Sequence, residues 1–309
     1  MILLMDLNPI LKRKYCLEYL DFNNVNIPSS LINSSGGDGI ELAQLLNGFK
    51  ETVLVSGFLG GINGSFIHRE LQEITIPHEY FSIKEESADS IIITTENGDE
   101  IIIKSRGPRI TREELGGFLE LCNSLLEKAS IICCVGDLPF NVPKEIFLEL
   151  ITNGNKLNKK TLLAIKGEEL SYGIEAKPYI VAIDKVALEE YTNLELNYEY
   201  EIIKAGLYIL EKGVNIVVVS LGIRGSIVLT SEKVYRVDIP NNDTKNFKVN
   251  LSYMIGGFAM AMDRNYDFDM VLKIGHACGI VNYYNKLENT DMSDIKKIMS
   301  DIEINIFNY

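Results

Sequence analysis

Histidine is scarce in this chain. His68, His78 and His276 lie far apart, so no histidine-based metal cluster is expected. Cysteine is scarce as well. Cys16, Cys122, Cys133, Cys134 and Cys278 make an odd number with no C-x-x-C pair. That excludes a disulfide framework and a zinc finger, and the thiols read as buried and free. Positive charge is short, with 30 basic against 43 acidic residues and a net charge of −13. A general nucleic-acid binder or a protein seated on an anionic membrane would carry the opposite balance. A nucleotide site needs only local positive potential and survives this argument. No apolar run reaches the length of a membrane span. The opening MILLMD turns acidic after five residues and reads as a first strand, not a signal peptide. A cytoplasmic protein is the expectation.

Glycine, in contrast, is concentrated. Residues 34–66 read SSGGDGIELAQLLNGFKETVLVSGFLGGINGSF. Gly36 and Gly37 allow a close backbone approach. Ile40, Leu42, Ala43, Leu45 and Leu46 then fall on one helical face, and Asn47-Gly48 closes the helix. Thr52 to Val55 is a short strand, and Gly57, Gly60, Gly61 and Gly64 form a second glycine-rich turn. Two glycine loops around one helix–strand unit are a means of presenting backbone N–H groups to a small anion.

Beyond this stretch, strands and helices alternate. The apolar runs Ile2–Leu7, Ile131–Val135 and Ile216–Ser220 read as strands covered on both faces. Cys133 and Cys134, adjacent in one of them, should point to opposite sides. Ile91–Thr95, Asn97-Gly98 and Glu100–Lys104 form a hairpin whose first arm is apolar on both faces. Thr111 and Glu114 make a capping box for a helix to about Lys128. Further strands are expected near 180–183, 226–229 and 234–237, the last two as antiparallel edge strands. Helices are expected over 143–153, 185–191, 199–212, 251–262, 269–286 and 291–300. This order specifies a doubly wound α/β fold.

Six fragments, in order and over the whole chain, resemble the ribokinase/phosphofructokinase-B family of carbohydrate kinases, in its 1-phosphofructokinase and tagatose-6-phosphate kinase branch. They are Asn8-Pro9, Ser35-Gly-Gly-Asp-Gly-Ile40, Gly57-Phe-Leu-Gly-Gly61, Gly107-Pro108, Gly136-Asp-Leu-Pro139 and Ser220-Leu-Gly-Ile-Arg-Gly225. The resemblance implies a ribokinase-like sheet with helices on both faces, in one domain over 1–309. It also implies a small β lid from 12–33 and 84–107, through which such proteins often form homodimers. The implied reaction is transfer of a phosphoryl group from ATP, with magnesium, to a sugar or sugar phosphate.

The motif positions that would perform this reaction are altered. The family's G-A-G-D falls on Lys248, Val249, Asn250 and Leu251, so the general base is a leucine with no lone pair. Asp243, eight residues upstream, cannot stand at the helix start. The glutamate of the family's magnesium motif falls on Ala187, after Asp184. In the substrate pocket the family's Asp falls on Lys12, its Lys on Asp38 and its Asn on Glu41. A serine becomes Asp137, and a lid arginine falls at or near Asp89. Gly36 and Gly37 remain. Carboxylates so placed repel a phosphate, each like-charge pair costing on the order of 1–4 kcal/mol at about 4 Å. A Lys12–Asp38 ion pair is expected to fill the sugar site. Ser220, Gly222, Gly225 and His276 fall beside the nucleotide in the family.

The resulting expectation is a kinase homologue with a degenerate active site, binding ATP and magnesium if that part is retained. The alternatives are an active kinase with relocated groups and a different substrate, cationic or polyhydroxy, and a structural or regulatory dimer partner.

Overall fold

The computed structural model describes residues 1–240, 248–284 and 290–307. Strand β1 (Ile2–Asp6) leads into β2 (Ile10–Leu17) and β3 (Ser30–Gly36). Helix α1 (Asp38–Gly48), β4 (Val53–Ser56), β5 (Phe58–Gly60) and α2 (Gly61–Glu73) follow. Next come β6 (Phe81–Ile83), the hairpin β7 (Ala88–Thr95) and β8 (Glu100–Lys104), α3 (Arg112–Lys128) and β9 (Ile131–Val135). The chain continues through α4 (Ile146–Lys156), β10 (Lys160–Ala164), α5 (Glu169–Glu175), β11 (Ile180–Asp184), α6 (Lys185–Thr192) and α7 (Glu199–Glu211). It ends with β12 (Ile216–Ser220), β13 (Ser226–Thr230), β14 (Val234–Asp238), α8 (Leu251–Asp263), α9 (Phe268–Ile280), α10 (Met292–Ser300) and β15 (Glu303–Ile306).

The main sheet runs β15-β14-β13-β12-β11-β10-β9-β1-β4. From β4 to β12 the strands are parallel, and β13 to β15 are antiparallel. Two apolar cores lie on its two faces. Helices α1, α2, α8, α9 and α10 cover one, and α3 to α7 the other. Cys133 belongs to the first core and Cys134 to the second, as strand alternation requires. Helix α8 buries ten consecutive residues, Ser252 to Ala261, because it runs through the first core between α1 and α9. That burial fixes its N-terminus at the carboxyl edge of the sheet.

Strand β1 is where the chain order reverses, with β4 on one side and β9 on the other. In open α/β sheets the crevice at such a point takes ligands. Above it lies a second sheet, β3-β2-β7-β8. Lys12, Ser90, Ile92, Ile102 and Lys104 face the crevice. Tyr15, Leu17, Ile91 and Ile93 face away from it, with Leu20, Asn26 and Pro28 over them.

The capping box at Thr111 and Glu114 is present. Three features depart from the sequence reading. Gly61 and Gly64 lie inside α2, not in a turn. Strand β14 is not the edge, because β15 pairs with it. Helix α5 is short enough, at seven residues, to leave no clear periodicity.

Candidate functional site

The crevice is organised around Asp6, the last residue of β1. Its side chain is buried, and its carboxylate accepts from the N–H groups of Gly39 at 3.1 Å and Ile40 at 3.2 Å. These are free donors of the first turn of α1. A Cβ on Gly39 would overlap the Asp6 side chain, and one on Gly57 would overlap its backbone oxygen. Gly39 therefore makes room for a carboxylate of the protein itself, and Gly57 for the backbone that carries it. The second loop repeats this, with the Glu86 carboxylate accepting from Asn63 N–H in the first turn of α2. Gly36 gives way to another side chain: the Lys12 stem lies across it and leaves no space for a Cβ. A carboxylate enclosed in this way is costly to ionise. Burial, then the nearby Asp38, push the Asp6 carboxyl up to about 7, against the two N–H bonds.

Asp38, Glu41 and Asp137 line the same crevice with Asp6, Asn8 and Gly37. The Lys12 ammonium bonds Glu41, whose other oxygen accepts from the Tyr253 hydroxyl at 3.1 Å. The expected Lys12–Asp38 pair is thus replaced by Lys12–Glu41. Asp38 opens α1 and points its charge to the crevice, and Glu41 lies one turn further in, within reach of β2. Lys104 of β8 bonds Asp137. Asp38 is open to solvent at the crevice but crowded by protein elsewhere. That crowding, then Glu41 and Asp137, raise its carboxyl, while a hydrogen bond from Ser252 lowers it.

Ser252 follows Leu251, the first residue of α8. Lys248, Val249, Asn250, Leu251 and Ser252 line a second pocket with Lys166 and Asp184. Asp38, Gly136 and Asp137 belong to both pockets. Asn250 caps α8, its side-chain oxygen accepting from Tyr253 N–H at 3.0 Å, and its own N–H bonds the Gly279 carbonyl at 2.7 Å. Leu251 brings only hydrocarbon to this second pocket. Asp184 caps α6 by accepting from Ala187 N–H at 2.8 Å and pairs with Lys166 at 3.1 Å.

Several expected site residues stand elsewhere. Asp89 does not line the crevice. It shares its face of β7 with Arg13, the register neighbour of Ile91, and pairs with Arg13 at 3.6 Å. His276 is a core residue: it bonds the Leu272 carbonyl at 2.7 Å and the Ser226 hydroxyl at 2.5 Å, and burial holds it near 4. Ser220 neighbours Asp184 in register, but its hydroxyl accepts from Gly222 N–H at 3.3 Å. Gly225 packs on the Val237 carbonyl. Ser220, Gly222 and Gly225 are not among the residues lining the pocket with Asp184. Asp243 lies outside the described residues. Sequence reasoning passed over Asp6, Lys104 and Lys166, and gave Asn8 no role in the pocket. The acid ending the apolar run ILLMD was the available signal for Asp6.

The large sheet with helices on both faces is the ribokinase-like fold that the resemblance implied. The sequence profile of the pfkB family carbohydrate kinases matches residues 3–286, and the chain belongs to that family. Its fold is similar to that of phosphofructokinase-2 from Escherichia coli, solved in complex with potassium. The TM-score is 0.88 at 22% identity over 97% of this chain and 98% of that one. A possible 1-phosphofructokinase from Thermotoga maritima aligns over 100% of both chains, with TM-score 0.86 and 22% identity. A carbohydrate kinase from Agrobacterium tumefaciens gives 0.77 at 13% identity, over 98% of this chain and 99% of that one.

The family's chemistry brings a nucleotide and magnesium. Lys248, and Lys166 in its pair with Asp184, line the pocket where the phosphates of a nucleotide would lie. Magnesium fits less well. The Asp184 carboxylate is engaged by Lys166 and Ala187, and no group of three acidic, histidine or cysteine side chains among the described residues is arranged for a metal.

Proposed function

We propose that this sugar-kinase homologue holds a nucleotide beside α8 and a small hydroxylated ligand in the Asp6 crevice, and transfers phosphoryl groups poorly or not at all. The observation that carries this reading is Leu251 on the wall of the second pocket with Asp38, where a carboxylate would have to take the acceptor's proton. A phosphorylated sugar is excluded by Asp38, Glu41 and Asp137, and by the use of the α1 N–H groups on Asp6. Lys166 and Lys248 on the wall of the second pocket support nucleotide binding.

One observation favours an active enzyme as a second reading. Asp38 reaches both pockets, receives a hydrogen bond from Ser252 and has a raised carboxyl, so it can stand in as the base. A single assay separates the two. ATP turnover is followed with a panel of unphosphorylated sugars and polyols for the parent, Leu251→Asp and Asp38→Asn. The first reading predicts negligible parent turnover and a gain of about 10²-fold or more in Leu251→Asp, the contribution of a positioned base. Parent turnover abolished in Asp38→Asn establishes the second instead.

Self-association through the small sheet is part of the proposal. Its outward face exposes Leu31 and Ile103 beside Tyr15, Ile91 and Ile93. The E. coli phosphofructokinase-2 has been solved as a tetrameric inhibited form, which supports an oligomer of some kind.

A further inference from the structure

Two of the three histidines meet outside the crevice. His68 on α2 and His78, in the segment before β6, hold their rings 4.8 Å apart and nearly perpendicular. His68 Nδ1 and His78 Nε2 face each other at 2.8 Å. Both outer nitrogens have partners as well. His78 Nδ1 lies 2.7 Å from the Ile76 carbonyl oxygen, and His68 Nε2 lies 3.0 Å from the Gln72 amide, one turn along α2. The backbone under each ring is fixed, His68 by the helix and His78 by its bridge to Val55 of β4. The pair lines a pocket of about 460 Å³ with Gly60, Gly61, Ser65 and Glu79, and this pocket shares no residue with the two described above.

The partners fix where the protons sit. A carbonyl only accepts, so the His78 proton is on Nδ1 and its Nε2 keeps a lone pair. His68 then donates from Nδ1, and its Nε2 accepts from Gln72. Each ring turns one nitrogen to the other ring and has the second nitrogen oriented from outside. Metal-binding histidines are oriented in this way, commonly with the outer N–H given to a backbone carbonyl.

The geometry points to a binding site for a divalent transition ion, with His68 Nδ1 and His78 Nε2 as neighbouring ligands. At about 2.0 Å from a metal, two nitrogens at a right angle lie about 2.8 Å apart, and two at a tetrahedral angle about 3.3 Å apart. The separation of 2.8 Å matches the right angle of copper(II) or nickel(II) more closely than the tetrahedron of zinc. The rings have to turn so that both lone pairs meet at the ion, but they need not move apart, and His68 is exposed to the pocket. The His68 proton passes from Nδ1 to Nε2, and the Gln72 amide turns over to accept it through its oxygen. Neutral rings therefore release no proton on binding. Two imidazoles leave the remaining positions to water and to the Glu79 carboxylate on the same pocket wall. A bound ion would tie α2 to the chain that runs along β4.

Nickel(II) and copper(II) are titrated by calorimetry into the whole chain and into His68→Ala, His78→Ala and Glu79→Gln, and thermal unfolding is followed with and without nickel. Cys16 is present in every variant, so any binding by its thiol is common to all. One ion per chain is expected, bound about 10-fold or more tighter by the parent than by either histidine variant. Glu79→Gln should lose less. Saturating nickel should raise the melting temperature of the parent and leave that of His68→Ala unchanged. The electron paramagnetic resonance spectrum of the copper complex should show two imidazole nitrogens. His68→Ala puts a helix former on an exposed face of α2, and its melting curve without metal verifies that it folds. No saturable binding of either ion overturns the inference. So does affinity that survives both histidine variants, which is adventitious surface binding, or a copper spectrum with a single nitrogen.

Discussion

The starts of α1 and α8 lie at one crevice and have been put to opposite uses. Both are helix N-termini and would attract an anion by their dipole. At α1 the free N–H groups are taken by Asp6, and the first turn adds Asp38 and Glu41. At α8 one N–H group is taken by the neutral Asn250 side chain, the first turn carries no acid, and Lys248 stands just before it. The pocket at the start of α8 mixes Lys166 and Lys248 with Asp38, Asp137 and Asp184. The side that would hold the acceptor has become acidic and fills its own cradle. The glycines survive in the second case because the cradle still encloses something, now a side chain of the protein.

The largest expected effect breaks the α1 side directly. Gly57→Ala drives a methyl group into the Asp6 backbone and should cost about 3 kcal/mol or more, at or above the upper end for an overpacked core. Leu251→Ala, at a partly exposed position of α8, should cost about 1 kcal/mol and leave the fold intact. Chemical denaturation of both variants checks the contrast. Equal costs would mean that Asp6 is not tightly enclosed.

A subtler test uses pH. Asp6 is raised from 3.8 to about 7, so the folded chain keeps a proton that the unfolded chain loses. Its contribution is full below about pH 4 and is lost as pH rises to about 7, a change on the order of 4 kcal/mol. His276 is lowered from 6.5 to about 4, which has the opposite sign: stability is lost as pH falls from 6.5 to 4. In the parent these slopes oppose each other between pH 4 and 6.5. Asp6→Asn removes one of them. Urea midpoints at pH 4.5, 5.5 and 6.5 should then fall on acidification more steeply in Asp6→Asn than in the parent.

The smallest effect is at the rim. Lys104→Ala releases Asp137, but both side chains are largely solvated, so stability should change by less than about 1 kcal/mol. Any effect on ligand binding would exceed the effect on stability.

Much of the fold was legible in the sequence because apolar periodicity and turn chemistry record it. The buried runs at β1, β9 and β12, the β7–β8 hairpin and the Thr111 capping box needed no knowledge of tertiary contacts. Short elements such as β15 and α5 carried too few residues for a period to show. The site was legible by position but not by partner. Lys12, Asp38, Glu41 and Asp137 do meet at one crevice. Which carboxylate Lys12 reaches depends on side-chain length and the pitch of α1, and sequence spacing does not report either. Asp89 and His276 stand away from the crevice for other reasons. Strand parity turns Asp89 to the far face, and packing against α8 buries His276. Asp6 escaped notice because an acid at a strand end looks like a boundary residue until a helix N-terminus is found in front of it.

The central claim is that the crevice's anion cradle is already filled by Asp6. Titration calorimetry of fructose 1-phosphate and fructose 6-phosphate into the parent chain at pH 7.5 tests it most directly. The account predicts no saturable binding of either compound up to millimolar concentration. Saturable binding that disappears in Lys12→Ala would contradict it.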